Sequence, residues 1–192
     1  MFDIGGWYLR INQIAQATPS LHGVAAPWAT YSVVLLGGLL ITCWWLARSR
    51  SDAVMAAALL APVSVVAAYV INQPIADWVS EARPFIAHPQ ALVLILRSTD
   101  PSFPSDHAVI AGAVCVGLWF ASRRLGVTAG VIAVLLALAR VYVGVHYPAD
   151  VIAGLLEGGI VAALMWAALC VPMARFVHRL RSMTVGSVVL RQ

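Results

Sequence analysis

The chain has 192 residues, 61% of them hydrophobic and only 10% charged, with a formal net charge of +4 and a mean hydropathy of +0.88. A soluble domain of this length cannot bury that much apolar surface, because a small fold leaves a large share of its surface exposed. The composition therefore excludes a soluble enzyme and predicts an integral membrane protein. All twelve basic residues are arginines, most of them between apolar segments, which indicates membrane topology and argues against nucleic-acid binding.

Five apolar segments are predicted to cross the bilayer, since a spanning helix needs about 20 mostly apolar residues. They lie near residues 27–47, 53–71, 106–122, 127–145 and 150–171. Ahead of them, residues 1–26 have apolar residues at helical spacing together with Trp7 and Tyr8, which predicts a helix in the headgroup region. The sequence thus predicts an all-α integral membrane bundle of about five transmembrane helices, forming one domain over residues 1–192.

The stretch 72–104 is polar and separates the second predicted span from the third. It contains an apolar piece, ALVLIL at residues 91–96. This piece is too short to span a bilayer and is predicted to form an interfacial or re-entrant helix. The loop between the two spans is therefore expected to be partly helical.

The arginines are distributed unequally between the two sides of the membrane. Five spans place the termini on opposite sides, and eight of the twelve arginines then share the side of the C-terminal tail. They are Arg48, Arg50, Arg123, Arg124, Arg175, Arg179, Arg181 and Arg191. The positive-inside rule assigns that side to the cytoplasm. We therefore predict a multi-pass protein of the cell (inner or plasma) membrane whose stretch 72–104 lies on the extracytoplasmic face.

Three separate pieces of the chain bring polar residues to that extracytoplasmic face. The residues are Arg83, Ser105, Asp106, His107, Arg140, His146 and Asp150. Ionisable groups at membrane depth are costly, so a whole set that converges predicts a functional site. For any one of them alone, snorkelling of an arginine or helix capping by a histidine is the simpler interpretation.

The residue types in this set favour phosphate chemistry. Arg83 and Arg140 present rigid forks of donors that match a phosphate group. The Ser105 hydroxyl and the first amides of the third span, at Asp106 and His107, would add donors at the positive end of a helix dipole. No cysteine or carboxylate cluster has metal-ligand spacing, and no glycine-rich nucleotide loop occurs. We therefore predict neither a metal nor a cofactor.

Two histidines beside an anion site can divide the steps of phosphoryl transfer. His146 and Asp150 are four residues apart, so the carboxylate can hold one imidazole nitrogen protonated while the other attacks phosphorus. His107 would then protonate the leaving oxygen and later activate water. The two arginines would neutralise charge on the equatorial oxygens.

The same residues resemble the signature of the type-2 phosphatidic acid phosphatase superfamily, the membrane lipid phosphate phosphatases. The three parts of that signature correspond here to EARPF with Arg83, PSDH ending at His107, and ARVYVGVHYPAD with Arg140, His146 and Asp150. The resemblance implies a metal-independent phosphatase that forms a phosphohistidine, with the two histidines and Asp150 catalytic. It also implies that the arginines bind phosphate.

Asp106 stands where most of the family has glycine, which makes the chain similar to the bacitracin-resistance-type undecaprenyl pyrophosphate phosphatases. That subgroup implies a polyprenyl diphosphate substrate, cut to the monophosphate on the extracytoplasmic face so that the carrier is reused in cell-wall synthesis. The resemblance is dense over residues 72–154, the implied catalytic core. Two family residues are replaced, a lysine by Ala76 and a serine by Ala139. The implied phosphate clamp therefore lacks one cation and one hydroxyl, unless Arg97 supplies the charge.

Alternatives to this substrate and function remain open in the sequence. Phosphatidate or phosphatidylglycerol phosphate, or phosphate transfer to another lipid, would use the same site with different lipid packing. An inactive transporter or scaffold is allowed by the two alanines and opposed by the two histidines. Glu157, two helical turns past Asp150, is predicted to make a structural bond to a neighbouring span, with tuning of Asp150 or proton relay as the alternative.

Overall fold

The computed structural model describes residues 4–183, and this part of the chain is helical without a β-strand. The helices are α1 (Ile4–Ala17), α2 (His22–Ala47), α3 (Asp52–Val79), α4 (Pro84–Ala87), α5 (Asp106–Ala121), α6 (Arg123–Tyr142) and α7 (Pro148–Arg181). Four helical stretches of the described residues are long and apolar enough to cross a membrane. They are Pro19–Ala47, Asp52–Ala87, Arg123–Tyr142 and Pro148–Arg181. The predicted all-α membrane bundle is confirmed.

Helix α5 is the central helix and contacts α2, α3, α6 and α7. It has 16 residues, so at about 24 Å it is shorter than the hydrocarbon core of about 30 Å. Its close approach to α7 requires glycine, because a Cβ on Gly158 would lie 1.9 Å from the Val109 carbonyl oxygen. This packing sets the start of α5 beside the start of α7, where the Ser105 N–H donates to the Asp150 carbonyl oxygen at 3.1 Å.

Helix α3 continues to Val79, well beyond the predicted end near residue 71. It accommodates Pro62 and Pro74 and ends at Ser80, whose φ of 50° is left-handed. The prediction that residue 72 begins a loop is wrong, because the fall in hydropathy marks a polar face of the same helix. That polar face points toward the cavity described below.

The apolar piece 91–96 is not helical, so the predicted interfacial or re-entrant helix is wrong. Its backbone is bonded to distant parts of the chain instead. The Leu92 N–H donates to Asn12 Oδ1 at 3.0 Å, and Asn12 Nδ2 donates to the Leu92 carbonyl oxygen at 2.8 Å. The Leu94 N–H donates to the Val143 carbonyl oxygen at 3.1 Å. The helical part of this loop is the short helix α4.

Helix α7 includes most of the arginines that were predicted to form a separate tail after residue 171. Arg191 lies outside the described residues. The N-terminal helix α1 forms as predicted, and its Trp7 is exposed while Tyr8 is fully buried. The Tyr8 hydroxyl donates to the Gly144 carbonyl oxygen at 3.2 Å, so α1 also packs against the turn between α6 and α7.

Candidate active site

A cavity of about 300 Å³ opens where α3 ends and α5 begins. Helix α6 ends at Tyr142, before the predicted boundary near residue 145, so residues 143–147 form a turn that carries His146. The polar residues of the cavity wall are Tyr69, Gln73, Asp77, Arg83, Ser98, Asp100, Asp106, His107, Arg140 and His146. Five of the seven predicted site residues are among them, while Ser105 and Asp150 are fully buried outside this lining.

Arg83 and Arg140 approach the same nitrogen of His146, and each is only 7% exposed. Arg83 Nη1 donates to the Val145 carbonyl oxygen at 3.2 Å and lies 3.3 Å from His146 Nε2. Arg140 Nη1 donates to the Ala29 carbonyl oxygen at 3.3 Å, and its Nη2 lies 3.3 Å from the same Nε2. Within the described part of the chain, neither guanidinium forms a salt bridge with a carboxylate. Two buried and unpaired positive charges favour the binding of an anion.

The two nitrogens of the His146 ring have different partners. Nδ1 lies 2.9 Å from the Ser102 carbonyl oxygen and 3.3 Å from Asp150 Oδ2. Both of these oxygens only accept hydrogen bonds, so Nδ1 carries the proton and Nε2 carries the lone pair. Burial, together with the charges of Arg140 and Arg83, lowers the pKa of His146 well below its ordinary value of 6.5. The ring is therefore neutral at physiological pH.

The Asp150 carboxylate supports His146 from the side opposite the cavity. Its Oδ2 accepts the Ser102 hydroxyl at 2.5 Å and the Tyr147 N–H at 2.9 Å. Its Oδ1 is buried without a hydrogen-bond partner among the described residues. These bonds fix the carboxylate at the first turn of α7, and the carboxylate in turn orients the imidazole.

The first turn of α5 brings His107 and Asp106 into the cavity wall. Asp106 Oδ1 accepts hydrogen bonds from Asn72 Nδ2 at 2.6 Å and from Gln73 Nε2 at 3.1 Å. The Ser105 hydroxyl is buried, lacks a partner among the described residues, and is not part of the wall. The structure therefore brings the helix start to the cavity without the Ser105 hydroxyl.

Three residues that the sequence analysis did not single out belong to this site. Ser102 contacts both His146 and Asp150, while Asn72 and Gln73 bind Asp106. Asn72 and Gln73 directly follow an apolar segment in the sequence. A buried amide requires a polar partner, so this position could have indicated that they bind another polar residue. Ser102 offered no comparable signal, because its contacts depend on how the loop folds back.

Two side chains depart from the roles considered for them in the sequence. Arg97 stacks on Phe85, with its guanidinium carbon 5.3 Å from the ring centroid, and it is not in the cavity wall. It therefore does not supply a cation next to Ala76, which does line the cavity. Glu157 Oε1 is buried without a hydrogen-bond partner among the described residues, so this oxygen does not make the predicted structural bond.

Residues 57–172, well over half of the chain, match the sequence family described as the PAP2 superfamily. The chain belongs to the PAP2 superfamily. Undecaprenyl-diphosphatase BcrC of Bacillus subtilis (strain 168) is 32% identical over 136 residues, which cover 71% of this chain and 68% of that protein. A Bacillus licheniformis protein named bacitracin transport permease protein BcrC is 29% identical over 175 residues, covering 90% of this chain and 83% of that one.

A solved PAP2 structure also resembles this chain. The transmembrane PAP2-type phosphatidylglycerolphosphate phosphatase from Bacillus subtilis aligns with a TM-score of 0.63 and 22% identity, covering 88% of this chain and 87% of that one. A likeness at this identity shows the fold. The predictions of the family, of a multi-pass membrane protein and of a phosphatase are confirmed.

Proposed function

We propose that this PAP2 phosphatase hydrolyses a polyprenyl diphosphate of the undecaprenyl type to the monophosphate, through a phosphohistidine at His146. One observation carries the proposal: two buried guanidinium groups converge on Nε2 of one neutral histidine. A phosphoryl group placed at Nε2 would receive both guanidiniums on its equatorial oxygens. The name of the Bacillus subtilis relative, undecaprenyl-diphosphatase, supports a lipid diphosphate as the substrate.

In the first step, the Nε2 lone pair of His146 forms a bond to the terminal phosphorus, and the bond from that phosphorus to the bridging oxygen breaks. His107, which takes up a proton when the negatively charged diphosphate binds beside it, gives that proton to the bridging oxygen and becomes neutral, and the polyprenyl monophosphate leaves. Asp150 stabilises the positive charge that develops on the imidazole, while Arg83 and Arg140 stabilise the charge on the phosphoryl oxygens.

In the second step, water attacks the same phosphorus while His107 takes a proton from that water. The bond between nitrogen and phosphorus breaks, which releases inorganic phosphate and restores neutral His146. The guanidiniums provide the charge neutralisation in both steps, so we expect activity to persist in EDTA. Complete loss that a divalent ion restores would contradict this assignment.

The decisive experiment compares phosphate release from a polyprenyl diphosphate, phosphatidate and phosphatidylglycerol phosphate by wild type and by His146→Ala. We expect the diphosphate to be preferred and the variant to lose roughly a thousandfold or more in rate. His178→Ala is the matched control, because His178 is exposed at the opposite end of α7. A preference for phosphatidate would overturn the substrate, and an active His146→Ala would overturn the mechanism.

We also propose that the cavity faces the extracytoplasmic side. It lies at the end of the bundle opposite the α2–α3 and α5–α6 connections, which carry arginines, and the positive-inside rule supports a cytoplasmic position for those connections. Leu96 is 94% exposed near the cavity end, and Ser49 is exposed at the other end. Leu96→Cys, and not Ser49→Cys, should react with an impermeant maleimide on intact cells. The reverse pattern would contradict this orientation.

A further inference from the structure

We propose that Asn72 and Gln73 are positioning residues that hold the Asp106 carboxylate away from Arg83 and Arg140. Their hydrogen bonds to Asp106 are called the Asp106 clamp below. The inference rests on the proposed function, because it assumes that the two arginines bind a phosphate group. Its consequence is that the guanidinium donors stay accessible to the substrate.

The geometry of the Asp106 clamp shows which groups donate. Asn72 Nδ2 lies 2.6 Å and Gln73 Nε2 lies 3.1 Å from the same oxygen, Asp106 Oδ1. A carboxylate oxygen only accepts hydrogen bonds, so both amides direct their NH₂ groups toward it. Two donors from adjacent residues of α3 therefore restrain one carboxylate at the first turn of α5.

Asn72 is an unusual residue for its position. It is fully buried in α3, and its own Oδ1 has no hydrogen-bond partner among the described residues. A buried amide with an unsatisfied oxygen is destabilising, and an apolar side chain of the same size would avoid this cost. The hydrogen bond from its NH₂ group to Asp106 is the interaction that offsets it.

The arginines explain why this carboxylate needs a restraint. Asp106, Arg83 and Arg140 line one cavity, yet no salt bridge joins them in the described part of the chain. A mobile carboxylate beside two buried guanidiniums without counter-ions would be attracted to them. It would then occupy the donors that a phosphate group requires. The Asp106 clamp prevents this internal ion pair.

A second carboxylate of the wall is restrained in a similar way. Asp100 Oδ2 accepts the Ser98 hydroxyl at 2.6 Å. The Asp100 backbone carbonyl oxygen, and not its carboxylate, accepts Arg83 Nε at 2.9 Å. Neutral donors thus hold two acidic side chains of the cavity, and the guanidiniums bond to backbone carbonyl oxygens.

The test is a double-mutant cycle with inorganic phosphate as the probe. Asn72→Leu removes the donor and keeps a side chain of similar size. Phosphate binding should weaken about fivefold, because the released Asp106 carboxylate would form an ion pair with the arginines and compete with phosphate. The KM for substrate should rise by a similar factor, while kcat changes less. In an Asp106→Asn background, which removes the charge, Asn72→Leu should have no further effect on phosphate affinity. An equal loss in both backgrounds would overturn the proposal and indicate a merely structural role.

Gln73→Leu provides a second measurement if Asn72→Leu does not fold, because Gln73 is only half-buried. It should weaken phosphate binding less than fivefold, and this effect should also disappear with Asp106→Asn. Ser64→Ala is the matched control on α3, since the buried Ser64 hydroxyl donates to the Ala61 carbonyl oxygen within the helix. An unchanged phosphate affinity in Gln73→Leu, or a weakened one in Ser64→Ala, would count against the Asp106 clamp.

Calorimetric titration with inorganic phosphate separates this inference from the proposed substrate. Phosphate binding without hydrolysis of lipid diphosphate would overturn the substrate and leave the Asp106 clamp testable. If wild-type protein binds no phosphate, the cavity is not a phosphate site and the clamp proposal is overturned with it.

Discussion

The two ends of the bundle use arginine in different ways. At the end away from the cavity, Arg181 Nη1 lies 2.6 Å from Asp52 Oδ1 and forms a salt bridge. At the cavity end, Arg83 and Arg140 have no carboxylate partner within the described residues and bond to backbone carbonyl oxygens. Charge pairing and burial, and not the number of arginines, therefore distinguish the proposed anion site from the arginine-rich end of the bundle.

Burial accounts for the energetic side of this difference. The Arg181 and Asp52 side chains are 17% and 29% exposed, so water already solvates part of that pair, which contributes about 1 kcal/mol or less. Burying a guanidinium without a counter-ion instead costs several kcal/mol. A folded protein tolerates two such groups side by side when a bound anion offsets the cost, which is the role we assign to substrate phosphate.

The largest expected difference between the two ends comes from removing an arginine charge at each of them. Arg140→Gln should lower kcat/KM by about 10²- to 10³-fold, because a buried donor to the transition state is lost in a water-poor site. Phosphate release from purified protein measures it. Arg181→Gln is the same substitution at the other end and should change kcat/KM less than about twofold. Similar losses in both variants would show that the two ends do not differ in function.

The next effect concerns the support of His146. Ser102→Ala removes a hydroxyl donor to Asp150 and should lower kcat by roughly tenfold to a hundredfold, since a hydrogen bond to a charged group contributes about 1.5–3 kcal/mol. The loss should be smaller than for Arg140→Gln, because the Ser102 backbone carbonyl still holds Nδ1. Ser64→Ala, an equally buried serine outside the site, serves as the control. An unaltered kcat in Ser102→Ala would mean that the hydrogen bond from the Ser102 hydroxyl to Asp150 does not contribute to catalysis.

The residues that meet in the cavity were predictable because short spacing decides much of the geometry. His146 and Asp150 are four residues apart, and Arg140 lies in the last turn of α6. The turn between α6 and α7 therefore brings Arg140 and His146 to the cavity, with Asp150 behind His146. The hydropathy pattern likewise predicted the membrane bundle, since a bilayer imposes helix length and composition. Both inferences depend on local sequence and on the membrane alone.

The features that could not be predicted depend on contacts between distant residues. The piece 91–96 is apolar like the helices, but it is not helical, and Asn12 and Val143 form hydrogen bonds with its backbone instead. The predicted end of α3 was wrong because Asn72 and Gln73 are polar residues within the helix. Their side chains donate hydrogen bonds to Asp106, which is 34 and 33 residues away in the chain. Hydropathy cannot distinguish a polar helix face from a loop when the partner is that remote.

Acid should destabilise the cavity end through His146. Its pKa in the folded protein lies well below 6.5, so below about pH 6.5 the unfolded chain binds a proton that the folded chain does not. Stability is therefore lost as pH falls from about 6.5 toward the folded pKa. His146→Gln removes this pH-dependent loss of stability. The Tm of the variant in detergent should therefore fall less than that of wild type between about pH 7 and pH 5. An identical fall in both proteins would contradict a neutral buried His146.

The smallest expected effect lies at the arginine-rich end. Asp52→Asn weakens the salt bridge to Arg181 and the contact to His178, both partly exposed, and should lower the free energy of unfolding by about 1 kcal/mol. Activity should not change, because Asp52 is remote from the cavity. The difference in Tm between variant and wild type should shrink in about 1 M salt, where the Debye length is about 3 Å. A loss of activity, or a destabilisation independent of salt, would mean that this pair is coupled to the active site and that the two ends are not separate in function.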